Sequence, residues 1–171
     1  ADAIHEHPRN IDDARIRTLA KHGGVILVNS LGSYLIDTGA TPAYQSDLRA
    51  LYERFGGRAN LSEANYAEFD RLRGELDAKH GLKKATLDDY FAHILHIIEV
   101  ARPEHVGFGA DWGGGGGVVG LEDVSDLPKI TARLLEAGYT EKQIEAMWSG
   151  NLLRVIREAQ AVARSEERRV G

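Results

Sequence analysis

Residues 105–119 read HVGFGADWGGGGGVV, a short apolar run that delivers one carboxylate, Asp111, to the edge of five consecutive glycines. Val106, Phe108 and Ala110 alternate with Gly107 and Gly109, the pattern of a buried strand whose neighbours come close at the glycines. Asp111 then stands at the C-terminal end of that strand. In α/β barrels and open α/β sheets this end carries the reacting groups, because the strand fixes the backbone while the following loop shapes a pocket. On this segment alone two readings of Asp111 stand side by side, an active-site carboxylate and an Asp that opens a turn.

Outward from this strand, helical and strand patterns alternate. Residues 25–29 (VILVN) form a continuous apolar, β-branched run up to Asn29, which predicts a strand buried on both faces of a parallel sheet. Before it, Asn10 is placed to cap a helix over residues 11–21, with Asp12 and Asp13 favouring the positive helix end and Gly23 and Gly24 ending it. Between the two strands lie a turn-rich piece (Gly32, Gly39, Pro42) and helical stretches over residues 44–55 and 62–80. Thr86 with Asp89 then makes a capping-box start for a helix that reaches Ala101, and Pro103 closes the unit.

Beyond the glycines, Ser125 is positioned to cap a helix to Ala137 with Gly138 following. Thr140 with Gln143 starts another through Trp148, and Gly150 separates a last helix over residues 151–163. The order predicts α/β architecture with parallel strands. Two parallel strands cannot bury both of their faces, so the expected context is part of a larger sheet or barrel rather than a complete one.

Composition narrows the partners. At 171 residues with 43% hydrophobic content the chain is long enough for a proper core, and a net charge of −5 argues against nucleic acid or an anionic membrane surface as the main partner. No run approaches a membrane span, and the absence of cysteine excludes disulfides, thiol catalysis and a zinc ribbon within these residues. Residues 164–171 (RSEERRVG) are charged, lack periodicity and match the in-frame translation of a sequencing adapter. They are read as a non-native tail appended to a native portion over residues 1–163.

Seven histidines invite a metal reading. His93 and His96 share a helix face and His5 and His7 lie close together, yet nothing forms an H-E-x-x-H or a Cys/His set, so all four and His105 are assigned structural or loop roles. The glycine run lacks the Lys-Ser/Thr of a phosphate loop and reads as a permissive active-site loop. Tyr34 is a candidate pocket wall equally open to plain packing, and Trp112 is read as a further wall, with core burial as its alternative. Glu122 and Asp123 read as turn and first-turn residues.

Three blocks in order, HPRNIDDARIRTLAKHGGVILVN, HVGFGAD, and GLEDVSDLPKITARLLEAGY with GNLLRV, resemble the C-terminal half of the renal (membrane) dipeptidase family of zinc peptidases. The resemblance implies a (β/α)8 barrel with two zinc ions that hydrolyses dipeptides through a metal-bound hydroxide. It assigns Arg9 to the free carboxylate of the dipeptide and Asp111 to the proton of the attacking water. The family's zinc ligands fall before Ala1, which leaves no metal ligand in this chain and implies an inactive fragment of an active parent. The family writes Asp two residues after its acid, where this chain has Gly113. The alternatives are a non-catalytic α/β binding module on the same scaffold and another binuclear amidohydrolase. A homodimer of the parent is left open, and bacterial cytoplasm or periplasm is the expected compartment.

Overall fold

The computed structural model describes the backbone of residues 1–170 and the side chains of residues 1–165; Gly171, the end of the tail read as non-native, lies outside the described residues. The chain divides into two units, one built from Ala1–Ile36 with Ala85–Gly171 and the other from Asp37–Lys84.

The first unit is organised around two strands, β1 (Ile26–Asn29) and β2 (Val106–Gly109). They pair in parallel with Ile26 opposite Val106 and Asn29 opposite Gly109, so their C-terminal ends lie on the same side, as the sequence predicts. Residue 25 stays outside the ladder. The expectation that β1 is buried on both faces does not hold. Val28 is 5% exposed and Leu27 46%, because the pleat sends them to opposite sides and only the Val28 side meets the core. Leu27 instead lies over Gly107, where an added Cβ would come within 2.6 Å of its Cδ2.

Helix α1 (Asp13–Lys21) starts two residues later than the sequence suggests. Asp12, not Asn10, is its cap, accepting the Arg15 N–H at 2.8 Å, because the Asn10 amide is spent on the carbonyls of His5 and Tyr34. After β1 a short helix α2 (Gly32–Leu35) appears where only turns are expected. Two helices of the second unit follow, α3 (Pro42–Arg54) and α4 (Glu63–Lys79), and then α5 (Leu87–Ala101), which has the Thr86–Asp89 capping box in place. Tyr90, Ile94, Ile97 and Ile98 of α5 are buried, and the Tyr90 hydroxyl donates to the Val28 carbonyl of β1 at 2.7 Å. Covering a parallel strand with a helix in this way is the basis of the α/β layer.

Past β2, Asp123 rather than Ser125 takes the capping role. Its carboxylate accepts both the Ser125 N–H and hydroxyl, opening a 3₁₀ turn (Val124–Asp126) that leads into α6 (Leu127–Glu136). A carboxylate is the stronger acceptor at a helix start, and Pro128 needs no partner for a missing N–H. Helix α7 (Glu141–Glu145) carries the Thr140–Gln143 box. Gly150 does not break the chain here; a π-helical segment (Ala146–Gly150) joins α7 to α8 (Asn151–Val170). That wide turn brings the Met147 carbonyl close over β2, within 3.2 Å of where a Gly107 Cβ would stand. Helix α8 runs past Ala163 because the residues that follow include no Pro or Gly before Gly171. No helix among the described residues is long and apolar enough to cross a membrane.

The second unit is a helical pair, α3 (Pro42–Arg54) and α4 (Glu63–Lys79), capped by Thr41 and Ser62. Phe69 of α4 packs against Tyr52 and Phe55, with ring centroids at 4.8 and 5.6 Å. The Tyr44 hydroxyl donates to Asp77 at 2.7 Å, and burial together with that carboxylate pushes it up to about 12.

Candidate active site

The C-terminal end of the parallel pair is where side chains from both strands meet. Asn29, the last residue of β1, donates its amide Nδ2–H to Oδ2 of Asp111 at 3.0 Å. Asp111, two residues beyond β2, adopts the left-handed conformation with φ 58° and ψ 34°. Asp tolerates this region better than most residues because its short polar side chain finds local partners. The conformation turns the chain sharply, and the Asp111 carbonyl accepts the N–H groups of Gly114 and Gly116 at 2.9 and 2.8 Å. Gly116 passes so close that an added Cβ would lie 1.9 Å from the Ala110 carbonyl oxygen.

Ser30, fully buried beside Asn29, ties the other end of the loop. Its hydroxyl donates to the Ala110 carbonyl at 2.5 Å and accepts the Gly117 N–H at 2.9 Å. The glycine run is therefore pinned at Asp111 and at Ser30, and several of its N–H groups are used internally. It has neither the motif nor the free donors of a phosphate cradle.

Arg9 is placed against Tyr34 by the loop before α1. The loop before α1 is folded on itself by Asn10, whose amide bonds the carbonyls of His5 and Tyr34, both at 2.8 Å. Tyr34 lies in α2, just after β1, and its ring takes Arg9 on it, with Cζ 5.5 Å from the centroid, and His7 at 4.8 Å. Partial burial together with the neighbouring His5 and Arg9 charges holds the His7 imidazole below its ordinary pKa. Arg9 is exposed, so its guanidinium stays open to a ligand while the tyrosine ring attracts its charge. Trp112 is half-buried against the core and donates its indole N–H to the Leu121 carbonyl at 3.3 Å, so it anchors the glycine loop from behind.

The remaining histidines hold structure. His93 is buried, with Nε2 at 3.0 Å from the Leu35 carbonyl, and burial pushes its pKa down to about 4. His96 meets Asp13 at 2.7 Å and His105 meets the Gly24 carbonyl at 2.8 Å. Glu122 accepts the Gly120 N–H at 2.9 Å, a turn role. Among the described residues no group of three or more His, Cys, Asp or Glu stands ready to hold a metal ion. Sequence reasoning passes over Asn29 and Ser30 as site residues. The available signal is two hydrogen-bonding residues directly after an apolar strand, at the end where a parallel sheet does its chemistry.

The family model of the membrane dipeptidases, peptidase family M19, matches residues 1–170. The chain belongs to the membrane dipeptidase family. Among its relatives, an uncharacterized dipeptidase of Schizosaccharomyces pombe is 33% identical over 165 residues, covering 95% of this chain and 30% of the relative. The dipeptidase tcpJ of Claviceps purpurea is 36% identical over 86 residues, half of this chain and 20% of that protein. The crystal structure of the probable dipeptidase PvdM from Pseudomonas aeruginosa superimposes with a TM-score of 0.62 at 27% identity, over 89% of this chain and 41% of that one. This member of the family thus spans less than half the length of each of these relatives, and its α/β architecture fits a portion of a dipeptidase fold.

Proposed function

We propose that the chain is the C-terminal part of a zinc-dependent dipeptidase built on a (β/α)8 barrel, in which Arg9 holds the free carboxylate of the dipeptide and Asp111 moves a proton during cleavage of the peptide bond. The observation that carries this reading is the Asn29–Asp111 contact at the shared C-terminal end of two parallel strands, the end at which barrel enzymes assemble their sites. Family membership supplies the reaction class.

The residues suit their parts. Oδ2 of Asp111 accepts the Asn29 proton, and the exposed carboxylate keeps Oδ1 as the atom to receive a proton from water and hand it to the leaving amine. A planar guanidinium binds a carboxylate through two parallel hydrogen bonds, which selects substrates with a free C-terminus. Two zinc ions, when bound in the parent protein, supply the activation of water at neutral pH. The family resemblance assigns the zinc ligands to parts of the parent outside these residues. The chain as given is accordingly expected to show no dipeptide turnover with zinc added, and measurable turnover would overturn that division.

Gly113, where the family writes Asp, favours a second reading: a non-catalytic binding module, or another binuclear amidohydrolase, on the same scaffold. A substrate panel on the parent protein separates these, with dipeptides set against cyclic amides and amidated peptides. Hydrolysis confined to dipeptides with a free carboxylate supports the proposal. Turnover of the cyclic amides alone, or of nothing, removes it.

A further inference from the structure

The Asn29 side chain is held at both of its polar atoms. Its Oδ1 accepts the Leu31 N–H at 2.7 Å, and its Nδ2 donates to Asp111 Oδ2 at 3.0 Å. A backbone N–H can only donate, so the atom facing Leu31 must be the oxygen. The amide orientation follows from chemistry and leaves Nδ2 facing Asp111. The backbone of Asn29 is fixed in turn by the ladder, opposite Gly109. One strand thereby sets the direction of a carboxylate on the next, across 82 positions of sequence.

We propose that Asn29 is a positioning residue for Asp111: it locks one carboxylate oxygen and so aims the other, with the buried Ser30 fixing the loop that carries the acid. This deepens the dipeptidase reading and rests on it for its kinetic consequence. The physical need comes from the backbone. Asp111 sits in a left-handed turn followed by glycines; its carboxylate lies over Gly114, which has no side chain to hold it, and Asn29 is the side chain that donates to it. A general acid–base group must lie within hydrogen-bond reach of its proton, and a displacement of about 1 Å costs on the order of 10²-fold in rate. A single donor from a rigid strand end supplies that restraint, whereas a donor on a loop would move with the acid.

Two hydrogen bonds at one residue allow its structural and positioning roles to be separated. Asn29→Asp keeps an oxygen for the Leu31 N–H and nearly the same shape, but it replaces the donor facing Asp111 with a second carboxylate. In the parent protein Asn29→Asp is expected to keep its thermal midpoint within a few degrees, lower kcat by roughly 10²-fold, and leave KM within about threefold. Asn29→Ala, which also drops the Leu31 bond, is expected to lose kcat to a similar extent. A second readout does not depend on turnover. In parent protein labelled with ¹⁵N at asparagine, the Asn29 side-chain amide signals should move on Asp111→Gly, which removes the carboxylate while suiting a left-handed backbone. They should stay in place on Lys21→Ala, at the end of α1 that leads into the opposite end of β1. Wild-type kcat in Asn29→Asp, a loss confined to KM, or amide signals indifferent to Asp111→Gly would each overturn the proposal. If the parent hydrolyses no dipeptide at all, the dipeptidase reading fails while the amide signals still decide whether Asn29 orients Asp111.

Discussion

The two ends of the β1–β2 pair are built on opposite plans. At the N-terminal end, helix α8 supplies two side chains that each donate to a pair of main-chain carbonyls. Asn151, 5% exposed, donates to Pro103 and Val106 at 2.7 and 2.8 Å, while Arg154 donates to Gly23 and Glu104 at 2.8 and 3.3 Å. His105 adds a bond to Gly24. These donors come from two elements and end on carbonyls beside both strands. At the C-terminal end a single side-chain pair, Asn29 with Asp111, faces outward, while Asn29 Oδ1 and the buried Ser30 hold main chain at Leu31, Ala110 and Gly117. Redundant bonds to backbone carbonyls give an end that resists deformation. A lone side-chain contact on a strained turn gives an end whose groups stay available to a ligand.

If that contrast is right, substitutions at the two ends should part activity from stability. The largest effect belongs to Asp111→Asn in the parent protein, expected to lower kcat by roughly 10²-fold or more, with KM and the thermal midpoint little changed, because asparagine also tolerates the left-handed turn. Steady-state kinetics beside a melting curve checks this, and near-wild-type kcat would remove Asp111 from the reaction. Next comes Arg9→Ala, expected to raise KM by roughly tenfold, with a smaller loss of kcat, on the scale of one lost charged hydrogen-bond pair. A dipeptide amide should be nearly indifferent to the change. An equal effect on both substrates would show that Arg9 does not read the carboxylate.

At the opposite end, Asn151→Ala strands two carbonyls and is expected to cost about 2 kcal/mol, a drop of roughly 4–8 °C in the thermal midpoint, with kcat unaltered at low temperature. A kcat loss larger than the stability loss would blur the distinction between the ends. The smallest effect is expected from Gly113→Asp. A Cβ there meets nothing within 4 Å and the backbone is not in the left-handed region, so the melting curve should stay within about 0.5 kcal/mol of wild type. Gly116→Ala is its steric contrast, since its Cβ would overlap the Ala110 carbonyl. A stable Gly116→Ala would show that the loop is not folded around Asp111.

Much of this architecture is legible in the sequence because it rests on local rules. Thr86 and Asp89, or Thr140 and Gln143, announce helix starts within four residues, and VILVN and HVGFG announce strands by their apolar runs. The features that escape are those decided by distant partners. Asn10 looks like a cap until Tyr34 claims its amide, and Gly150 looks like a break until β2 draws a π-helical turn over Gly107. Asp111 is visible from its place after a strand, and Arg9 only through family resemblance. Asn29 and Ser30 go unseen because their value comes from a loop more than 80 positions away.

The left-handed turn at Asp111 also constrains what evolution can do there. The residues that sit comfortably at such a position are Asp, Asn and Gly, and the latter two are each one nucleotide from an aspartate codon. A lineage that abandons catalysis therefore has a short path that erases the carboxylate and leaves the scaffold folded. Silent relatives of this protein should be recognisable by Asn or Gly at this one site, with the strand before it and the glycines after it intact.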